Sequence, residues 1–255
     1  MRRVRVENLT VGELRLEAEE AHHLRDVLRL ARGEAVEVFD AEGRTAQGEL
    51  CAVDGRGVTV LVRDVREPDR RGLLWTVASA VPKGGRVDWM IEKLSELGAD
   101  RFVPLATQRS VVHPEGKGKR ERWARIAAEA AKQSRRVGVM GIGELVELKA
   151  FLAQMSGAGW YLSTGARGVS VEEAAGRLGG MATEQLNLLI GPEGGWTEQE
   201  ERELSEAGLT GVSLGRTILR VETAAVAAAA VVAAVVVPRV ARAARQSSLT
   251  PGTDA

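Results

Sequence analysis

The chain carries a single cysteine, Cys51, in 255 residues. One thiol cannot close an internal disulfide or build a Cys-rich zinc site; this fits a reducing cytosol, where such a residue is ordinarily packing material. An excess of either charge is also missing, with Lys+Arg and Asp+Glu at 35 each. Any nucleic-acid partner must therefore be met by a local basic patch and not by a basic protein. No apolar run reaches the roughly 20 residues that cross a bilayer. The longest, Thr223 to Val237, is about 15 residues and is ended by Pro238 and Arg239, which reads as a helix buried in a core or subunit interface. From Met1 to Glu7 the chain is basic and then mixed polar, without the apolar centre of a secretory signal. A cytoplasmic location with no membrane partner is expected.

Several chemistries are excluded in the same way. Gly211 to Gly215 matches the G-x-S-x-G pattern of a hydrolase elbow, but that elbow needs a histidine later in the chain, and the last one is His113. His22 and His23 are adjacent, so on a helix they diverge by about 100° and cannot share one ion; no metal is expected. Neither a P-loop nor a G-x-G-x-x-G fingerprint is present.

What is present has globular proportions, 44% hydrophobic and 27% charged. After an early helix-like segment, Glu34 to Asp40, Thr45 to Val53 and Gly57 to Arg66 are Val-rich and separated by Asp/Gly turns, the pattern of a small β-barrel. The charged, proline-containing stretch Arg66 to Gly72 then marks a boundary. Beyond it the rhythm becomes α/β. Strands are expected at Leu73 to Val81, Arg101 to Leu105, Trp160 to Ser163, Leu186 to Ile190 and Gly211 to Leu214. Helices are expected around Val87 to Leu97, Lys119 to Ser134 and Glu144 to Met155. The fold class is α/β, a mostly parallel sheet covered on both faces. The tail Gln246 to Ala255 is expected to be disordered.

Two segments carry the chemical information. Leu188 to Thr197 is a buried strand ending in a Gly/Pro turn, followed by a helix start in which Thr197 and Glu200 form a capping box. Such a loop lets a ligand approach the glycine backbone and offers free N–H groups. The second, Leu214 to Thr223, ends a strand in an apolar turn carrying Arg220 and Glu222 before the Ala/Val helix. A tight turn without a ligand, and a helix-start ion pair, are the plainer readings of the two.

Ile190 to Gly195 and Leu214 to Ala224 together resemble the I-G-P-E-G-G and L-G-x-x-I-L-R-x-E-T-A signature of the RsmE family of ribosomal RNA methyltransferases, in the SPOUT superfamily. The likeness extends over most of the chain: His23 to Arg29 is similar to the family's H-x-x-x-V-L-R, Lys93 to Gly98 with Pro104, Arg109 and Ser110 to its K-x-x-E-L-G…P…R-S block, and Glu129 with Gln133 and Ser134 to its E-A-x-x-Q-S helix. Lys83 and Arg86 are kept from a further block whose acidic positions depart from the pattern.

The resemblance implies a PUA-like RNA-binding barrel over residues 1–68 and a trefoil-knotted SPOUT domain over 72–245. It implies S-adenosylmethionine as donor, methylation of uridine N3 in small-subunit ribosomal RNA, free or assembled, and a homodimer. The implied cofactor contacts are Leu162, Ser163 and Thr164; Ile190, Gly191, Pro192, Glu193, Gly194 and Gly195; and Leu214, Gly215, Ile218, Leu219, Arg220 and Thr223. The implied RNA contacts are Arg3, Arg5, His23, Arg25, Arg29, Lys83, Arg86 and Arg109, with the run Lys117 to Arg125 left as a solvated face. Arg220 and Glu222 are the expected catalytic pair, Arg220 countering charge on the uracil and Glu222 taking a proton or holding Arg220. Ribose 2′-O methylation, or an RNA-binding assembly protein with a degenerate pocket, remain alternatives.

Overall fold

A computed structural model of the chain describes residues 2–55, 57–68, 72–112, 117–164, 168–178 and 185–240. The tail Gln246 to Ala255 and His113 lie outside them. The chain divides into two compact units, Met1–Arg70 with Ala128–Val139, and Arg71–Ala127 with Met140–Ala255.

The first unit contains β1 (Arg2–Arg5), β2 (Gly12–Arg15), α1 (Ala18–His22), a π-helical turn (His23–Val27), β3 (Ala35–Phe39), β4 (Thr45–Asp54) and β5 (Gly57–Val62). Its sheet runs β1-β3-β4-β5-β2, antiparallel except for the parallel β1–β3 pair. In β5, Val58, Val60 and Val62 are buried while the residues between them are half-exposed, the alternation of a sheet with one covered face. They pack with Leu24, Val36, Val38 and Leu50. Cys51 is half-buried and points its thiol at the Thr59 carbonyl, the packing role expected of it.

The segment Ala128–Val139, far along the sequence, completes this unit. Arg3 reaches it with Nη1 donating to the carbonyls of Ala131 (3.2 Å) and Arg136 (2.8 Å), and Lys132 pairs with Glu20 at 2.8 Å.

The second unit contains β6 (Leu74–Ser79), α2 (Arg86–Glu96), β7 (Arg101–Ala106), most of α3 (Lys117–Ser134), β8 (Gly141–Ile142), β9 (Val146–Glu147), α4 (Leu148–Gln154), β10 (Ala158–Leu162), β11 (Val169–Ser170), α5 (Val171–Leu178), β12 (Gln185–Ile190), α6 (Glu198–Glu206), β13 (Thr210–Ser213) and α7 (Val221–Val231). Its sheet runs β11-β13-β10-β12-β6-β7-β8, with β9 beside β7, and every pairing is parallel. After their exposed first residues β7 and β12 are buried without alternation, because helices cover both faces. Phe102 and Trp123 meet edge to face at 6.0 Å, seating α3.

The helix expected from Glu144 is shorter. Val146 pairs with Leu105 as the start of β9, so α4 begins only at Leu148: a parallel strand partner outweighs local helix preference. The Ala/Val helix is longer than its apolar run. It continues from α7 through a π-helical turn (Val232–Val236) and stays helical over Val221–Val240, 20 residues, enough by length and composition to cross a membrane. It packs against α2, β6 and β12, burying Val221, Ala225, Ala228, Ala229, Val232 and Val236. Within the chain the cover is partial, since Val226, Ala227, Ala230 and Val231 remain half-exposed.

Candidate active site

The strands β10, β12 and β13 lie side by side and parallel, so their carboxyl ends open to one edge, where an α/β sheet offers its ligand crevice. A cleft of about 380 Å³ stands there. It is lined by Leu162, Ser163 and Thr164 after β10, Ile190 to Trp196 after β12, and Val212 to Leu219 after β13, with Val221 and Ala224 from α7. Thirteen of the fifteen implied cofactor positions therefore come together. Arg220 and Thr223 do not line the cleft: Arg220 is the exposed N-cap of α7, and Ala224 takes the place given to Thr223.

The glycine loop is shaped by its neighbours. The Trp196 indole lies against Gly191, where a Cβ would come within 2.9 Å of the ring, and its Nε1 donates to the Leu162 carbonyl at 2.9 Å. That contact ties the β12 loop to the end of β10. Gly194 leaves room for Arg109, whose Nη1 donates to the carbonyls of Gly194 (2.7 Å) and Trp196 (3.2 Å). Only Gly195, at φ +69°, serves the left-handed backbone. The space beside Gly191 and Gly194, expected to admit a ligand, is occupied by the Trp196 and Arg109 side chains.

The capping box at α6 forms as read. Thr197 Oγ1 accepts from Glu200 N at 3.2 Å, and Glu200 Oε2 accepts from Thr197 N at 2.8 Å. Glu200 is buried because it has a second task, its Oε1 accepting from Gln108 N at 2.8 Å. Together with Arg109 it laces the loop after β7 to the glycine loop. Ser213, the serine of the discarded hydrolase pattern, donates to the Gly215 carbonyl at 3.2 Å.

Glu222 is 6% exposed in the first turn of α7, and its partner is Arg86, Nη1 to Oε1 at 3.3 Å, with Arg86 Nε donating to the Lys83 carbonyl at 3.1 Å. Glu222 does not hold Arg220, and Arg86 is not free for RNA. Glu222 Oε2 is out of solvent and, among the described residues, without a hydrogen-bond partner.

Other implied RNA contacts are redistributed. Arg3 is buried, stacked 4.1 Å over Phe39 and committed to two carbonyls and to Glu37, so it is a core arginine. Burial lowers its pKa, with Arg135 adding to the effect against Glu37. Arg109 serves the cleft loop. Arg25 is engaged by Asp26 and the Asp54 carbonyl. It is His22, and not His23, that makes the polar contact of that turn, Nδ1 to Asp26 at 2.6 Å. Arg5 is half-buried, while Arg29, at φ +54°, and Lys83 are exposed. In the run Lys117 to Arg125, Arg120 pairs with Glu144 and Arg122 with Asp88, as a solvated face would. Trp196, Arg216 and Glu201 line the cleft unforeseen. Trp196 directly follows Gly195, so its position beside the glycine loop is the signal in the sequence that points to it.

The chain thus combines a separate β-unit with a parallel α/β unit that carries such a cleft, and both parts match known families. Residues 71–233 match the family model of an RNA methyltransferase domain, and residues 16–63 that of an RNA methyltransferase PUA domain. Ribosomal RNA small subunit methyltransferase E of Bacillus subtilis (strain 168) is 34% identical over 220 residues, 81% of this chain and 84% of that one. That of Synechocystis sp. is 32% identical over 225 residues, 86% and 72% of the two chains. The solved ribosomal RNA small subunit methyltransferase E of Neisseria gonorrhoeae, bound to S-adenosyl methionine, aligns with TM-score 0.78 and 29% identity over 91% of this chain and 96% of that one. The chain belongs to the ribosomal RNA small subunit methyltransferase E family.

Proposed function

We propose that the protein transfers a methyl group from S-adenosylmethionine to uridine N3 of small-subunit ribosomal RNA. The observation that carries this is the cleft, closed by both signature loops at the ends of three adjacent parallel strands in a chain of this family. The cleft suits the cofactor: apolar Leu162, Val212 and Leu219 fit a purine face, the loops offer backbone groups to its edges, and Glu193 and Glu201 suit its cationic groups. When bound, that cofactor supplies an already activated methyl on a sulfonium, so the protein's work is alignment and electrostatics. Arg220, exposed at the start of α7 between two cleft residues, is placed to counter charge on the base. Neither metal nor membrane enters this reading, and a cytoplasmic site of action accompanies it.

In the same reading, residues 1–68 bind RNA and 72–245 carry the reaction. Exposed Arg29 and half-buried Arg5 then take the barrel's phosphate contacts from Arg3. The insertion of β13 between β10 and β11 supports the trefoil knot. The half-exposed apolar strip of α7 supports a homodimer. Labelled S-adenosylmethionine offered with small subunits or naked ribosomal RNA tests the proposal: label should enter the RNA of at least one, and entry into neither contradicts it.

A further inference from the structure

We infer that Arg86 is a positioning residue for methyl transfer, holding Glu222 by one carboxylate oxygen and leaving the other, Oε2, to accept the N–H of the acceptor base. The inference rests on the functional reading above and goes beyond it. Three observations carry it. Glu222 directly follows Val221, which lines the cleft, and stands two residues beyond the exposed Arg220. Its Oε1 is satisfied by Arg86 at 3.3 Å through a single contact, not a two-pronged one. Its Oε2 has no partner among the described residues although it is shut off from solvent.

A buried acceptor left without a donor is destabilising, and more so for a carboxylate than for a neutral polar group. A donor arriving with the substrate removes that cost, and a binding contact of this sort is realised only in the complex. The donor that fits is an N–H of a base, since a phosphate oxygen would meet a carboxylate with repulsion. Arg86 is itself tethered through Nε to the Lys83 carbonyl, so it can fix the carboxylate's orientation. Its side chain is 38% exposed against 8% for Glu222, so the pair is approached from the Arg86 side. In the transfer the N3 proton passes to Oε2 and the N3 lone pair forms the bond to the methyl carbon. The carbon–sulfur bond breaks with its electron pair going to sulfur.

The variants Arg86→Ala, Arg86→Lys and Glu222→Gln, with the wild type, test this through kcat, KM for ribosomal RNA, cofactor affinity by calorimetry and thermal midpoint. Arg86→Ala should lower kcat roughly tenfold or more while leaving KM and cofactor affinity within about threefold. Arg86→Lys should recover most of the loss, and adding Glu222→Gln to Arg86→Ala should cost no more than Glu222→Gln alone. A raised KM with kcat intact makes Arg86 a phosphate contact and overturns the inference. So does a loss that follows the thermal midpoint and is not recovered by lysine. A wild type that forms no N3-methyluridine overturns the functional reading itself, and this assignment with it.

Discussion

Gly191 and Trp196 set the form of the cleft more directly than any charged residue does. The indole ring fills the space beside Gly191 and reaches the Leu162 carbonyl, so one side chain fixes two of the three loops. Adding a single methyl forces the ring to move, an overpacking that costs about 1–3 kcal/mol. Gly191→Ala should therefore weaken S-adenosylmethionine binding roughly tenfold and shift the Trp196 fluorescence, while leaving the fold intact. Unchanged affinity by calorimetry would remove the loop from the cofactor site. A second residue-scale consequence concerns Asp26, whose carboxyl is lowered from 3.8 to about 2, first by the hydrogen bond from Arg25 and then by that from His22. A lowered folded pKa means that the pairing adds stability above pH 3.8 and loses it as pH falls through about 2. A carboxyl titration followed by NMR should give a midpoint near 2 for Asp26, rising in Arg25→Ala; a midpoint near 3.8 in the wild type would dissolve the triad.

Among the elements, α7 joins the site to the rest of the protein. Its buried face, Ala225, Ala228, Ala229 and Val232, seats it in its own unit, whereas Ala227, Ala230 and Val231 are half-exposed. A charge at Ala228, 2% exposed, would disrupt the core; a charge at Ala230 addresses the open strip alone. Ala230→Glu should give a folded monomer by light scattering with methyl transfer reduced, because the helix starts at Arg220 and Glu222. A fully active monomer would separate dimerisation from the site. The elements that sequence made legible are those whose signal is local. Alternating valines gave β5, unbroken apolar runs gave β12, and Thr197 with Glu200 gave the start of α6. What escaped depends on partners distant in sequence. Val146 becomes a strand only beside Leu105, and Arg86 meets Glu222, 136 positions further along the chain, only in the fold. Arg3 reads as a surface cation until Phe39 and the carbonyls of Ala131 and Arg136 enclose it.

At the scale of the whole molecule, balanced charge and a divided structure fit a division of labour. Net charge is zero, so attraction to RNA must come from where cations stand free of carboxylates. Several arginines of the basic clusters are instead tied to Glu37, Asp26, Asp88 and Glu144, which, among the described residues, leaves positions such as Arg29 and Lys83 exposed without a carboxylate partner. The parallel sheet presents its cleft through loops that three separate strands deliver to one edge, a geometry suited to holding a donor in a fixed attitude toward an incoming base. The acceptor atom is where the account is most exposed to test. Small-subunit ribosomal RNA methylated by the purified protein, digested to nucleosides and resolved by mass spectrometry, should yield N3-methyluridine. A methyl group found on the ribose 2′-oxygen would contradict the role given to Glu222 and the acceptor assigned to this cleft.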